Sequence, residues 1–305
     1  MSLGNELLSE LEGEVEVRSD DHGAYLNATE KCHEFCCSKV SLLLSRYPMK
    51  IWIPQINPAR RSGCTWLFGV QFGGGLVEGD NVRCKITVQA NCCVLYASLG
   101  QNKAYQCAVG KTVCQKNDFH VGPNSALFVL PDPTLLQKES ALSQYQVTRV
   151  ASNGNLVLLD WYISGREGLL EHWEGASLRS VNSIHMDGVE IFRDVMCLSG
   201  DLTLRRASMG KYRVIGLCVV VGDVVGRHLA DAIKALSIGN SYGVAADTNQ
   251  IVACSPLYSD CSDTVVCGHV IRFCYSTTIT AYEGVADILN PIFAMAGGNP
   301  FEKNY

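Results

Sequence analysis

The chain has 305 residues, 47% of them hydrophobic and 18% charged, with 28 glycines and a formal net charge of -5. Such a composition excludes a disordered chain and suits one large or two ordinary folded domains with many turns. The acidic balance and the lack of a Lys/Arg cluster argue against nucleic acid, and the longest apolar run, Val214 to Gly222, is about half of the ~18 residues that a membrane span needs before Asp223 closes it, so no membrane is expected.

Met1 to Glu14 lacks the basic n-region, apolar h-region and small-residue cleavage site of a secretory signal, so a cytoplasmic chain is expected. Residues 1–13 read as a flexible segment, 14–297 as one β-rich domain without a linker or internal repeat, and 298–305 as a tail. Fifteen cysteines, an odd number with no C-x-x-C among Cys32, Cys36, Cys37, Cys92, Cys93, Cys254, Cys261, Cys267 and Cys274, point to apolar core thiols rather than a disulfide framework or a structural zinc.

In chain order, Glu14 to Arg18 alternates as a half-buried strand, with Ala24 to Thr29 as its expected partner. Ser38 to Leu44 is strand-like up to Arg46-Tyr47-Pro48-Met49-Lys50, where Pro48 ends it or holds it at an edge. Trp66 to Phe72 leads into Gly73-Gly74-Gly75-Leu76-Val77-Glu78-Gly79-Asp80, a run whose missing Cβ atoms allow a close backbone approach. It has neither the Lys-Ser/Thr ending nor the following helix of a phosphate loop, and the one Gly-Lys-Thr, at 110–112, has Tyr105 where a Walker loop has glycine.

Val82 to Val88 and Cys92 to Ala97 read as a hairpin around Gln89-Ala90-Asn91. Ser125 to Leu130 is a strand stopped by Pro131-Asp132-Pro133, a rigid turn that fixes Asp132. Leu156 to Ile163, apolar on both faces except at Asp160, reads as the centre of a sheet. A carboxylate there must be paired, hydrogen-bonded or protonated. Arg166 is its expected partner, with Glu171 and His172 beside Trp173 joining the network, and the bland alternative is an ion pair that only fixes the fold.

Tyr212 to Val221 and Val265 to Thr277 are strand-like, and two helices are predicted from Val225, Leu229, Ile233, Leu236 and from Val285, Leu289, Ile292, Met295, the second kinked at Pro291. Gly239-Asn240-Ser241-Tyr242-Gly243 spells a nucleophile elbow, but a helix precedes it where a strand should, so a glycine-rich helix stop is the simpler reading. No H-x-H or H-E-x-x-H occurs, so no preformed catalytic metal site is visible.

Taken in order, Tyr47-Pro48-Met49-Lys50, Gly73 to Asp80, Lys103-Ala104-Tyr105, Leu130-Pro131-Asp132-Pro133, Asp160-Trp161, Ser164-Gly165-Arg166, Glu171-His172-Trp173 and Arg193-Asp194 resemble the urease accessory protein D (UreD, also UreH) family. The resemblance implies a mainly β fold of layered, β-helix-like sheets of many short strands, with two α-helices in the C-terminal half. It also implies a non-enzymatic scaffold that binds apo-urease, a helical accessory protein and a nickel-carrying GTPase, assembles through these partners, and holds no tightly bound cofactor while nickel passes transiently. On that resemblance, Asp80, Asp160 and Glu171 are the candidate nickel path, with Arg166 setting their charge state; the cysteine excess is not a hallmark of the family, and Cys92 or Cys93 as an extra nickel ligand is a separate hypothesis. Tyr47, Pro48, Lys50, Gly73, Gly74, Gly75, Gly79, Lys103, Tyr105, Pro131, Asp132, Pro133, Gly165, Arg166, Trp173, Arg193 and Asp194 are the structural and docking motif. Two other function classes stay open: a β-rich interaction module without a metal role, and a serine hydrolase acting through Ser241.

Overall fold

The structure is a computed structural model in which residues 13–19, 38–54, 63–238, 249–259 and 265–302 are described. Its strands are β1 (Gly13–Ser19), β2 (Ser38–Ser45), β3 (Met49–Trp52), β4 (Thr65–Gln71), β5 (Asn81–Val88), β6 (Cys93–Ser98), β7 (Lys103–Ala104), β8 (Val113–Val121), β9 (Ala126–Val129), β10 (Thr134–Leu136), β11 (Ala141–Val150), β12 (Asn155–Ile163), β13 (Ser177–Met186), β14 (Val189–Leu198), β15 (Val214–Val221), β16 (Gln250–Tyr258) and β17 (Val266–Tyr275). The helices are α1 (Leu202–Met209), α2 (Asp223–Ile238) and α3 (Thr278–Ala296).

From β4 to β13 the chain winds as a solenoid that alternates between two sheets, with the short β7 and β10 as added strands on the second. Strands β5, β8, β11 and β13 lie parallel in the first sheet, and β4, β6, β9 and β12 lie parallel in the second. The expected hairpin of Val82–Val88 with the following strand is therefore corrected: β5 and β6 belong to different sheets, and Gln89–Cys92 is an arch between them. Parallel strands usually need helical crossovers, but here each crossover is a strand of the opposite sheet. The first sheet continues as the β13/β14 hairpin on one side and as β1 and β2 on the other. The second is extended by antiparallel β15, β17 and β16.

Period-2 alternation along each strand gives the second sheet two buried faces. On β12, Leu156, Leu158 and Tyr162 face the space between the sheets, while Val157, Leu159, Trp161 and Ile163 join a second core beneath the helices. That second core takes Val225, Leu229 and Ile233 of α2 and Val285, Leu289 and Ile292 of α3, which is the helical spacing read from the sequence. Met295 packs at its margin, partly buried, and Pro291 lies inside α3 on an exposed position without ending the helix. Trp66 Nε1 donates to the Ala296 carbonyl at 2.7 Å, tying β4 to the end of α3.

The fold is thus mainly β, with stacked solenoid-like sheets. The short helix α1 and strands β3, β8, β10, β13, β14 and β16 were not anticipated. Strand β1 pairs with β2, while the expected strand Ala24–Thr29 and the Gly239–Gly243 segment lie outside the described residues. Among the described residues no helix is long and apolar enough to cross a membrane.

Candidate functional site

The solenoid has two unlike edges. On one, the first sheet returns to the second through four-residue arches, at 89–92, 122–125 and 151–154. On the other, the second sheet reaches the first through longer corners at 72–80, 99–112, 130–140 and 164–176. Most of the recognised motif residues lie on these long corners.

The corners stack. Leu76 N donates to the Lys103 carbonyl (2.7 Å) and Tyr105 N to that of Leu76 (3.0 Å), and β7 in turn pairs with β10. Gly75 makes this approach feasible, since a Cβ there would sit 2.5 Å from the Lys103 carbonyl oxygen. Tyr105 Oη donates to the Gly73 carbonyl, and Tyr47, exposed beside Pro48, stacks on Phe72 with ring centroids 5.7 Å apart.

In the Pro131-Asp132-Pro133 corner, Asp132 is held as the rigid turn predicts. Its carboxylate accepts from Tyr282 Oη of α3 (2.7 Å), the Gly100 amide (3.1 Å) and Ser98 Oγ (3.2 Å), so a single buried acid joins two corners to a helix.

Asp80 closes its own turn, its Oδ2 accepting from Val77 N at 2.9 Å. Glu171 is buried and pairs with Arg166, which donates Nε (3.0 Å), Nη2 and its own amide (3.0 Å) to the carboxylate. The Arg166 bonds lower the Glu171 pKa. Gly165 lets the two meet, because a Cβ there would lie 2.6 Å from that of Glu171. Three arginines clamp this corner: Arg213 donates to the Glu171 carbonyl, Arg205 to those of Trp173 and Gly175, and Arg206 to that of His172 while pairing with Glu174. Trp173, 1% exposed, donates Nε1 to the Tyr212 carbonyl at 2.9 Å.

The expected Asp160–Arg166 pair is corrected: Arg166 belongs to Glu171, and Asp160 is satisfied by neutral donors. Its position on β12 points it between the sheets, where Oδ1 accepts from Gln144 Nε2 (2.9 Å) and Oδ2 from Ser180 Oγ (2.7 Å) and Asn182 Nδ2 (2.8 Å). Burial raises its pKa, against the pull of these bonds. Behind Asn182 stands a file of amides in register across three strands. Asn117 Nδ2 donates to Gln146 Oε1 and Gln146 Nε2 to Asn182 Oδ1, both at 2.9 Å. Every amide thus donates toward the carboxylate.

A cavity of about 40 Å³ borders Asp160, Gln144, Gln146 and Asn117. Two buried acceptors along it have no hydrogen-bond partner, Asn117 Oδ1 and Gln71 Oε1. Beyond Asn182, Asp194 occupies the register partner on β14 and pairs with Arg272 at 2.8 Å, while Arg193 pairs with Glu190.

Asp80, Asp160 and Glu171 do not converge, and among the described residues no group of three His, Cys, Asp or Glu side chains could hold a metal ion. Cys92 and Cys93 are both fully buried in opposite cores, Cys92 between the sheets and Cys93 under the helices. Asn117, Gln144, Gln146, Ser180 and Asn182 escaped the sequence reading. Their signal was polar residues two apart on three neighbouring strands: Gln115 and Asn117, Gln144 and Gln146, Ser180 and Asn182.

The family profile described as UreD urease accessory protein matches residues 30–297. Among curated relatives, Urease accessory protein D of Oryza sativa subsp. indica is 28% identical over 65% of this chain and 64% of its own length. Urease accessory protein D of Arabidopsis thaliana is 28% identical over 61% and 64%, and Urease accessory protein UreD of Anaeromyxobacter sp. is 27% identical over 81% and 80%. The chain therefore spans just under two thirds of the length of the two plant relatives. With the profile covering most of the sequence, the chain belongs to the UreD urease accessory protein family.

Proposed function

We propose that the chain is a non-catalytic scaffold in urease maturation, which docks on apo-urease together with a helical accessory protein and a nickel-carrying GTPase and lets nickel pass through its interior. The observation that carries the metal role is the cavity beside Asp160, bordered by the unpartnered acceptors Asn117 Oδ1 and Gln71 Oε1. Buried acceptors without donors are costly and are the groups a cation or its water satisfies. One carboxylate among amide and hydroxyl oxygens offers nickel hard, weak ligands without imidazole or thiolate, which suits a cargo that must be released.

In this reading Asp160 serves the path directly. Glu171 orders the 164–176 corner, and Asp80 shapes its own turn. A docking module without a metal role shares the same surfaces and differs only in not needing Asp160. The test is urease activity in cells carrying apo-urease and the other accessory proteins. The reading requires that adding this chain restores activity, and unchanged activity would refute the assignment. A fluorophosphonate probe that labels Ser241 would favour a hydrolase instead.

A further inference from the structure

A second cavity, of about 290 Å³, opens on the long-corner edge between the end of β12 and the start of α3. Ser164, Arg166, Arg213, Gln101 and Thr278 line it, and the exposed Glu167 stands among them. Four features supply it with hydrogen-bond donors. Arg213 is half-buried and makes no ion pair among the described residues; its Nη1 donates only to the carbonyl of Glu171. Ser164 is 1% exposed and its hydroxyl has no partner. The first turn of α3 presents backbone N–H groups, of which Thr277 caps that of Thr280 alone among the described bonds. Finally, the charge of Arg166 is taken up by Glu171, which leaves Arg213 as the uncompensated cation against Glu167, whose carboxylate is exposed to solvent.

We infer that this cavity binds a small oxyanion of carboxylate or phosphate size, held by the Arg213 guanidinium, the Ser164 hydroxyl and the amino end of α3. A guanidinium recognises such an anion through paired N–H donors, and the first turn of the helix, whose Thr278 lines the cavity, adds backbone donors. The anion has two sources, a dissolved ion or an acidic side chain of a docked protein. The inference does not rest on the urease reading, because it concerns the isolated chain.

Thermal unfolding of the full-length chain tests it, titrating inorganic phosphate and, separately, N-acetylglutamate α-amide against sodium chloride at equal ionic strength. A bound anion at ten times its Kd raises Tm by about 2 °C or more. A shift with phosphate alone identifies a dissolved ion, one with the glutamate compound alone an acidic side chain, and one with both the shared chemistry. Arg213→Met should weaken the response at least about tenfold, as loss of a charged hydrogen bond does, and Ser164→Ala should weaken it by about threefold to tenfold. Ser164→Ala removes only an unpartnered hydroxyl and keeps the inference testable should Arg213→Met fail to fold. No shift with either compound, or equal shifts in the wild type and both variants, would overturn it.

Discussion

Both edges of the solenoid are stacked by backbone bonds, and they differ in how much side chains add. On the short edge the arches are stacked by backbone bonds: Gly122 N donates to the Val88 carbonyl, Ala151 N to that of Val121, and Asn155 N to that of Ser125. Few side chains matter there, chiefly Ser125, whose Oγ donates to the Gln89 carbonyl and accepts from Cys92 N, and Asn155, whose Oδ1 accepts from Val224 N at the start of α2. On the long edge the corners also stack through backbone bonds, such as Leu76 N to the Lys103 carbonyl and Gln137 N to that of Ala104, but they are tied further by side chains with charge: Asp132, Glu171, Arg166 and the arginines from 205 to 213. The short edge keeps the fold in register, whereas the long edge needs particular residues, and most of the motifs that mark the family lie there. Between the edges runs the amide file that ends on Asp160.

If side-chain chemistry concentrates in the file and the long edge, losses should fall in that order. Asp160→Ala leaves Ser180 Oγ and Asn182 Nδ2 without their acceptor, while Gln144 Nε2 keeps Tyr162 Oη, and should cost about 3–5 kcal/mol in chemical denaturation, the scale of breaking a buried polar network. Gly75→Ala forces the first corner away from Lys103 and should cost about 2–3 kcal/mol, as overpacking does; a neutral result would mean that the corner stack is slack.

Glu171→Gln sharpens the comparison through pH. The Arg166 bond lowers the folded pKa of Glu171, so its stabilisation is complete above the unfolded value, about 4.3, and is lost as pH falls through the folded value. The variant should lose stability at pH 7 and show a shallower acid limb. Asp160 has the opposite sign: its raised pKa makes stability fall as pH climbs from the unfolded value through the folded one. Smallest is Ser125→Ala on the short edge, expected to cost about 1–2 kcal/mol as one buried hydroxyl bonded to Cys92 N and the Gln89 and Pro123 carbonyls. A cost above that of Gly75→Ala would reverse the ranking of the edges.

Much of this was legible in the sequence. Apolar alternation gave most strands, the spacing of Val225, Leu229 and Ile233 gave α2, and Pro131-Asp132-Pro133 announced a fixed acid. What escaped was pairing. Alternation within Val82–Val88 is the same whether the next strand pairs beside it or crosses to another sheet, so the arch passed for a hairpin. Asp160 stood out because it broke an apolar strand, but its partners are 16 to 22 residues away and met it only through register. Arg166 was assigned to Asp160 by closeness in sequence. The backbone turn at Gly165 gives it to Glu171 instead.

The most direct test of the central claim is the nickel content of urease isolated from cells that express apo-urease, the other accessory proteins and this chain with Asp160→Asn, which keeps the volume of the side chain and removes its charge. Partner binding is measured in parallel, and Asp80→Ala serves as the surface control. The account predicts that Asp160→Asn binds its partners yet leaves urease depleted of nickel, while Asp80→Ala fills it. Full nickel loading with Asp160→Asn would contradict a path through this interior.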